Sequence, residues 1–284
     1  MNQLSTQTPP RHVVPRATVE PMVRACDVSL IIPTRNEEEN LPALIQKLSE
    51  VLEGKSCEVI LVDDSDDATA QVATWLAIES GLNLSVIHRE GDARQGGLST
   101  AVLAGIAAAH GEYVCIMDAD LQHPPQLIGL MLEAAADRDV DIVIASRYVE
   151  GGSDAGLSGR ARRMISLLSK RLVKTAFRSR LRTVSDPLSG FFLARRSLLD
   201  ETALRPIGFK ILLDILVRSD WQVAKDVPLQ FERRAAGSSK ATLKQGRDFL
   251  SHVARLLWEA KTGGIKLEKR APLPAGTQVT QARS

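Results

Sequence analysis

Cysteine is scarce in this chain of 284 residues: Cys26, Cys57 and Cys115 are odd in number, widely spaced and form no C-x-x-C pair. That pattern suits neither a disulfide framework nor a thiolate zinc site, and it points to a reducing compartment. Long apolar runs are missing as well. The longest stretch without Asp, Glu, Lys or Arg, residues 95–111, is rich in Gly and Ala and falls short of the ~20 apolar residues that cross a bilayer. The N-terminus is polar and Pro-containing, without a basic and then apolar leader, and the last residues, Gln-Ala-Arg-Ser, carry no prenylation signal. The expectation is a cytoplasmic chain, peripheral to a membrane at most.

Acidic residues are absent from one long segment. Between Ala155 and Val184 there are nine basic residues (Arg160, Arg162, Arg163, Lys170, Arg171, Lys174, Arg178, Arg180 and Arg182) and no Asp or Glu. The whole chain carries 36 basic and 34 acidic residues, so without those nine it is acidic. A concentrated positive patch on an otherwise acidic protein calls for an anionic partner. The segment has one aromatic residue, Phe177, and hence no platform for stacking bases, which sets nucleic acid aside in favour of an anionic membrane surface.

Apolar residues make up 44% of the chain and charged residues 25%, which excludes a disordered or collagen-like chain and supplies a substantial core. Residues 1–26 and the tail from 263 read as polar, mobile ends. Between them, short apolar runs near 28–33, 58–63, 84–88, 113–118 and 142–146 alternate with helical patterns near 38–52, 68–79, 98–110 and 124–136. That succession predicts an α/β fold with a mostly parallel sheet covered by helices on both faces. After residue 150 the rhythm changes to a Gly-rich passage and a basic amphipathic helix near 160–179 expected to pack partly through Leu168 and Leu172. A strand near 191–194, a helix near 209–217, a strand near 223–231 and a last helix near 243–260 follow. Residues 27–150 thus read as a ligand-binding half and 151–262 as an elaboration of the same sheet.

In an open parallel sheet, ligands bind beyond the carboxyl ends of the strands, and here those ends are acidic. The first strand runs into Pro33-Thr34-Arg35-Asn36-Glu37, the second into Asp63-Asp64-Ser65-Asp66-Asp67 and the fourth into Asp118-Ala119-Asp120-Leu121-Gln122. Converging carboxylates repel unless a cation or hydrogen-bond donors intervene. Asp118 and Asp120, two apart at a strand end, can face a common point where Mg²⁺ or Mn²⁺ keeps some waters and takes its remaining ligands from phosphates, with the Gln122 amide oxygen as a further hard ligand. Asp64 can accept donors from a base or sugar. Asp66 or Asp67 caps the following helix.

Six motifs occur in the order seen in family 2 glycosyltransferases: residues 31–37 (Ile-Ile-Pro-Thr-Arg-Asn-Glu), 62–65 (Val-Asp-Asp-Ser), 118–125 (Asp-Ala-Asp-Leu-Gln-His-Pro-Pro), 146–148 (Ser-Arg-Tyr), 186–191 (Asp-Pro-Leu-Ser-Gly-Phe) and 234–240 (Arg-Ala-Ala-Gly-Ser-Ser-Lys). The chain most resembles the dolichol- or polyprenol-phosphate mannosyltransferase branch, over about residues 27 to 260. The resemblance implies a GT-A fold, a nucleotide-sugar donor, a divalent metal (Mg²⁺ or Mn²⁺), inversion at the anomeric carbon and a polyprenyl phosphate acceptor. It also leaves room for a separate membrane-spanning partner. On this chain it implies that Pro33, Arg35, Glu37, Val62 and Asp64 line the nucleotide, and that Asp118, Ala119, Asp120 and Gln122 surround metal and diphosphate. Arg147, Arg162, Arg234 and Lys240 would hold phosphates, with Asp120, Arg234 and Lys240 as the catalytic set. Arg35 stands where that branch often has Tyr, and residues 94–101 lack the Lys-Leu-Gly-Leu-Gly form of eukaryotic-like synthases, so a UDP-sugar is the alternative donor.

A lipid monophosphate is already an anion at neutral pH and attacks without a general base; charge stabilisation and orientation are what the protein must supply. A phospho-acceptor receiver module imitates the acidic strand ends but lacks the leading βα unit and the long C-terminal half. A nucleotidyltransferase would carry a Gly-rich loop after the first strand. A processive synthase would carry Gln-x-x-Arg-Trp and membrane spans.

Overall fold

The computed structural model describes residues 27–265 apart from 138, 157–159, 201–202, 209 and 233–242. β1 (Val28–Thr34) runs between two parallel neighbours, β2 (Cys57–Asp63) and β4 (Tyr113–Ile116), and is buried at every residue. That position accounts for its unbroken apolar run, since a strand covered on both faces has no polar side to alternate with. β3 (Leu84–His88) flanks β2, and beyond β4 come β6 (Phe192–Arg195), β5 (Ile142–Ser146) and β7 (Ala224–Pro228). The order is β3-β2-β1-β4-β6-β5-β7, and only β6 runs antiparallel to its neighbours. The mostly parallel sheet follows the sequence pattern. The insertion of β6 between β4 and β5 does not, because nothing local marks its pairing partners.

Residues alternate across the sheet into two apolar layers. Leu30, Ile32, Leu61 and Cys115 pack toward α1 (Leu41–Leu52), α2 (Thr69–Glu79) and α4 (Leu127–Ala135). Ile31, Ile60, Val114 and Ile144 pack toward α3 (Leu98–Ala108), α5 (Arg160–Ala176), α6 (Arg178–Leu181), α7 (Ile211–Arg218) and α8 (Leu243–Lys261). Gly105 lets α3 lie directly on β1: a Cβ there would stand 2.5 Å from a methyl of Ile31.

Several boundaries shift for identifiable reasons. α1 begins at Leu41 and not near residue 38, because Pro42 fits only the first helical turn. Paired strand β4 stops at Ile116, two residues before Asp118, although the Met117 amide still reaches Ile31 O at 3.2 Å. The basic helix packs through Val173, with Phe177 just after it, both fully buried, and not through Leu168 and Leu172, which are 58% and 42% exposed. Its outer face instead carries Met164, Ile165, Leu168 and Leu172 in an open apolar stripe. Among the described residues no helix is long and apolar enough to cross a membrane.

Candidate active site

The β1–β2 pairing continues to Thr34↔Asp63, whereas the β1–β4 pairing ends at Ile31↔Ile116. The chain leaves β1 toward β2 and β3, then returns to β4 on the other side, so the strand order reverses between β1 and β4. In open α/β sheets the crevice beyond such a reversal is where ligands bind. Among the described residues the two non-glycine positions with left-handed backbone, Asn36 (φ 57°) and Leu121 (φ 61°), lie on its two lips. Backbone of that kind costs on the order of 1 kcal/mol or more and concentrates at functional sites.

The β2 lip is a web of hydrogen bonds. Asp63 accepts from Thr34 Oγ1 at 2.8 Å and from Ser65 Oγ at 2.5 Å, and its other oxygen meets His88 Nδ1 at 2.7 Å. Asp64 is gripped by Arg89 through Nε (2.7 Å) and Nη2 (2.6 Å), with both side chains buried. Arg94 donates to Ser65 O and Arg89 O, both at 2.6 Å, and pairs with Asp66. Arg35 is exposed beside Asp66 at 3.8 Å. Glu37 stands in the turn before α1, where its carboxylate accepts from Asn40 Nδ2 at 2.6 Å. Asp67 accepts the Thr69 amide at 3.0 Å at the entry to α2. Pro33 and Val62 are paired in register and buried near the ends of their strands.

On the β4 lip, Asp118 is half-exposed and Asp120 is nearly enclosed, accepting the Gln122 amide on Oδ1 at 3.1 Å. Ala119 between them is buried. His123 fixes the turn: its Nδ1 accepts the Asp118 amide at 3.1 Å while its ring lies between Phe191 and Phe231, with centroids 5.2 and 5.5 Å away. Burial pushes its pKa down to about 4, against the upward pull of Asp120. It is therefore a neutral structural ring and not the partner of an ion pair with Asp118. Gln122 and Glu232 bond reciprocally, amide to Gln122 O at 3.1 Å and Gln122 Nε2 to Glu232 O at 3.0 Å. This pairing ties the acidic turn to the chain entering 233–242. Among the described residues no three His, Cys, Asp or Glu cluster as a closed metal cage. Two hard carboxylates at an open edge fit Mg²⁺ or Mn²⁺ completed by water and substrate phosphate, and do not fit zinc.

The third wall comes from the second half of the chain. Arg147, just past β5, is held by Asp186 through Nε at 2.7 Å and Nη2 at 3.0 Å, and stacks on Tyr148 and Phe231. Ser189 donates to Ala145 O at 2.7 Å and closes the 186–190 loop against the sheet. Gly190 packs closely there: a Cβ would lie 3.2 Å from Asp118 Oδ2 and 3.3 Å from the His123 ring. Half-buried Lys210 donates to Leu188 O at 3.0 Å, and its pKa is lowered to about 8 by burial and by Arg147, with Asp186 and Asp118 pulling the other way. α5 is fastened beside this wall: the Tyr148 hydroxyl meets Ser166 Oγ at 2.9 Å and Lys170 Nζ sits 3.4 Å above the Tyr148 ring.

Pro33, Arg35, Glu37, Val62, Asp64, Asp118, Ala119, Asp120, Gln122 and Arg147 all fall on strand ends or turns at this one edge. Arg234 and Lys240 lie outside the described residues, as does the side chain of Arg162. Sequence reasoning did not single out Arg89, His123, Asp186 or Lys210. His123 and Asp186 stand inside recognisable motifs and Arg89 directly follows β3, but Lys210 has no local signal.

The model of the family described as "Glycosyl transferase family 2" matches residues 29–202. A dolichol-phosphate mannosyltransferase of Pyrococcus furiosus is 39% identical over 84% of this chain and 66% of its own length. The chain thus spans a little under two thirds of that relative. The Saccharomyces cerevisiae dolichol-phosphate mannosyltransferase is 33% identical over 81% of this chain and 86% of its own. Among solved structures, glucosyl-3-phosphoglycerate synthase from Mycobacterium tuberculosis, in complex with Mn²⁺, UDP and glucosyl-3-phosphoglycerate, superimposes with a TM-score of 0.60 at 23% identity, over 85% of this chain and 81% of that one. Mannosyl-3-phosphoglycerate synthase from Rubrobacter xylanophilus does so with a TM-score of 0.59 at 24% identity, over 84% and 75%. The fold is GT-A.

Proposed function

The chain belongs to glycosyl transferase family 2, and from that premise we propose that it transfers a hexose, mannose, from GDP-mannose to a polyprenyl monophosphate at the cytoplasmic face of a membrane. The observation that carries the proposal is a juxtaposition. The Asp118–Asp120 turn and the Arg147–Asp186 pair share one sheet edge, and beside them α5 turns outward an apolar stripe flanked by Arg163 and Arg171. A water-soluble donor fits the crevice, and an acceptor with an anionic head and an apolar tail fits the border between that crevice and α5. The mannosyltransferases of 39% and 33% identity support the same choice of sugar and acceptor.

In this reading Asp118 and Asp120 hold Mg²⁺ or Mn²⁺, with Gln122 Oε1 as a further oxygen ligand. The bound ion would neutralise charge on the leaving diphosphate. Asp64, held in one orientation by Arg89, and Glu37 face the nucleoside. Arg147 orients a phosphate with its planar fork, and Arg234, Lys240 and Arg162 add positive charge to the acceptor side. The lipid phosphate needs no base, since it attacks as an anion. α5 meets an anionic membrane surface, where each nearby Lys or Arg contributes about 1 kcal/mol.

The test is incubation of labelled GDP-mannose with polyprenyl phosphate and Mg²⁺ or Mn²⁺. Label should enter the organic phase only with the metal present. UDP-glucose run in parallel tests the alternative donor.

A further inference from the structure

Lys210 is explained neither by the acidic turn nor by the basic helix. It occupies the N-cap of α7, of which residues 211–217 are all buried, so its main chain is fixed. Just before it Gly208 takes a left-handed φ of 76° and accepts the Ser99 hydroxyl at 2.5 Å, which ties this corner to the start of α3. From that anchor the ammonium reaches Leu188 O at 3.0 Å. Leu188 is the middle residue of the 186–190 loop. At one end of the loop Asp186 grips Arg147 with two hydrogen bonds, and at the other Gly190 lies against the Asp118 carboxylate. One side chain thus holds the centre of a loop whose ends touch both halves of the site.

We propose that Lys210 is a positioning residue shared by those halves. By holding Leu188 it fixes where the Asp118 carboxylate and the Arg147 guanidinium stand relative to each other. The inference rests on the transferase reading above and extends it. In a displacement between two phosphates, leaving group and incoming oxygen must stay in line, and a misplacement of about 1 Å can cost on the order of 100-fold in rate. The Asp186–Arg147 pair, the Ser189 hydroxyl and the buried Leu188 side chain also hold this loop, and the bond from Lys210 is the one that fixes the Leu188 carbonyl between them. An ammonium group carries three rotatable donors on a flexible stem, so it can hold a carbonyl from an adjacent helix start without clashing with the loop.

The variants are Lys210→Met, which keeps an apolar stem and removes the donor, and Lys210→Arg, which restores one. Two readouts are needed besides the thermal midpoint: Mn²⁺ binding in the presence of GDP and, separately, of UDP, followed by electron paramagnetic resonance, and transfer of label to polyprenyl phosphate. Lys210→Met should keep its midpoint within about 3 °C of wild type. It should weaken Mn²⁺ binding about five-fold and lower kcat by about ten-fold or more, with Lys210→Arg recovering part of both. Wild-type Mn²⁺ binding and turnover in Lys210→Met overturn the inference. So does a loss that appears only together with a fallen midpoint and that Arg does not restore, or an absence of Mn²⁺ binding by the wild-type chain. If wild type binds Mn²⁺ and transfers nothing to the lipid, the transferase reading fails while the Mn²⁺ measurement still decides the role of Lys210.

Discussion

Arg89 holds Asp64 by two parallel hydrogen bonds of 2.7 and 2.6 Å, and neither side chain is more than 7% exposed. Thr100 Oγ1 and Gly97 O accept further bonds from the same guanidinium, at 3.0 and 3.2 Å. The carboxylate at the β2 end is therefore oriented and linked to the start of α3. Removing one partner of a buried pair leaves the other charge uncompensated and costs about 3–5 kcal/mol. Arg89→Met is expected to lower the urea midpoint accordingly, and adding Asp64→Asn should recover part of the loss. A single-variant cost below about 1 kcal/mol contradicts this account of the pair.

Asp120→Asn keeps the shape of the enclosed side chain and its bond from the Gln122 amide, and removes the charge. Metal-dependent transfer should fall by about 100-fold or more, with the unfolding midpoint little changed. Retention of most activity at saturating Mn²⁺ would remove Asp120 from the metal site.

Stability should fall on acidification between about pH 6.5 and 4. His252 is enclosed between α7 and α8, with the Ile207 amide donating to Nδ1 at 3.1 Å and Nε2 facing Asp214 at 3.5 Å. Burial lowers its pKa to about 4; Arg255 and Arg218 push the same way, while Asp214 and Glu259 pull back. His123 is lowered to about 4 as well, chiefly by burial. In the unfolded chain each imidazole takes its proton near pH 6.5, so over this window the unfolded state binds more protons and is favoured. Asp226 opposes them, because burial raises its carboxyl to about 6 and the folded state is protonated first. Two imidazoles against one carboxyl leave a net loss. His252→Asn offers an acceptor to the Ile207 amide and does not titrate, so the drop in folding free energy from pH 7 to 4.5 should shrink by on the order of 1–2 kcal/mol. An unchanged drop sinks the assignment to His252.

Replacing Ile165 and Leu168 together by Gln should weaken sedimentation with anionic vesicles while leaving stability within about 0.5 kcal/mol, since both are exposed. Arg171→Gln with Arg178→Gln should weaken it further at low salt and little at high salt. Lys174 is not a suitable probe, because its ammonium donates to Val184 O at 2.7 Å and holds α5 in place. Vesicle binding that ignores all four changes means that the basic segment of α5 and α6 is not the contact.

The succession of β1 to β5 along the chain and the acidic strand ends were legible because each depends on a local pattern: apolar runs of strand length, helical periodicity, and Asp or Glu directly after a run. What escaped depends on distance in sequence. β6 pairs with β4 from nearly 80 residues away, and the Arg147–Asp186 clamp closes across 39. The amphipathic pattern of α5 located the helix but not which of its two apolar stripes faces inward. Val173 and Phe177 take the core, and Leu168 and Leu172 are left outside, because amphipathicity states that a face exists and not what covers it. Lys210 was invisible for the same reason: its role is set by Leu188, on another element.

The central claim is that the acceptor is a lipid phosphate, and a side-by-side acceptor measurement tests it most directly. With labelled GDP-mannose and Mn²⁺, polyprenyl phosphate in mixed anionic vesicles and 3-phosphoglycerate in solution are supplied to equal amounts of protein, and label is counted in the organic and aqueous phases. The account predicts label in the organic phase, lost on omission of polyprenyl phosphate, with no transfer to 3-phosphoglycerate. Label accumulating on 3-phosphoglycerate, or no label in the organic phase with any donor tried, would contradict it.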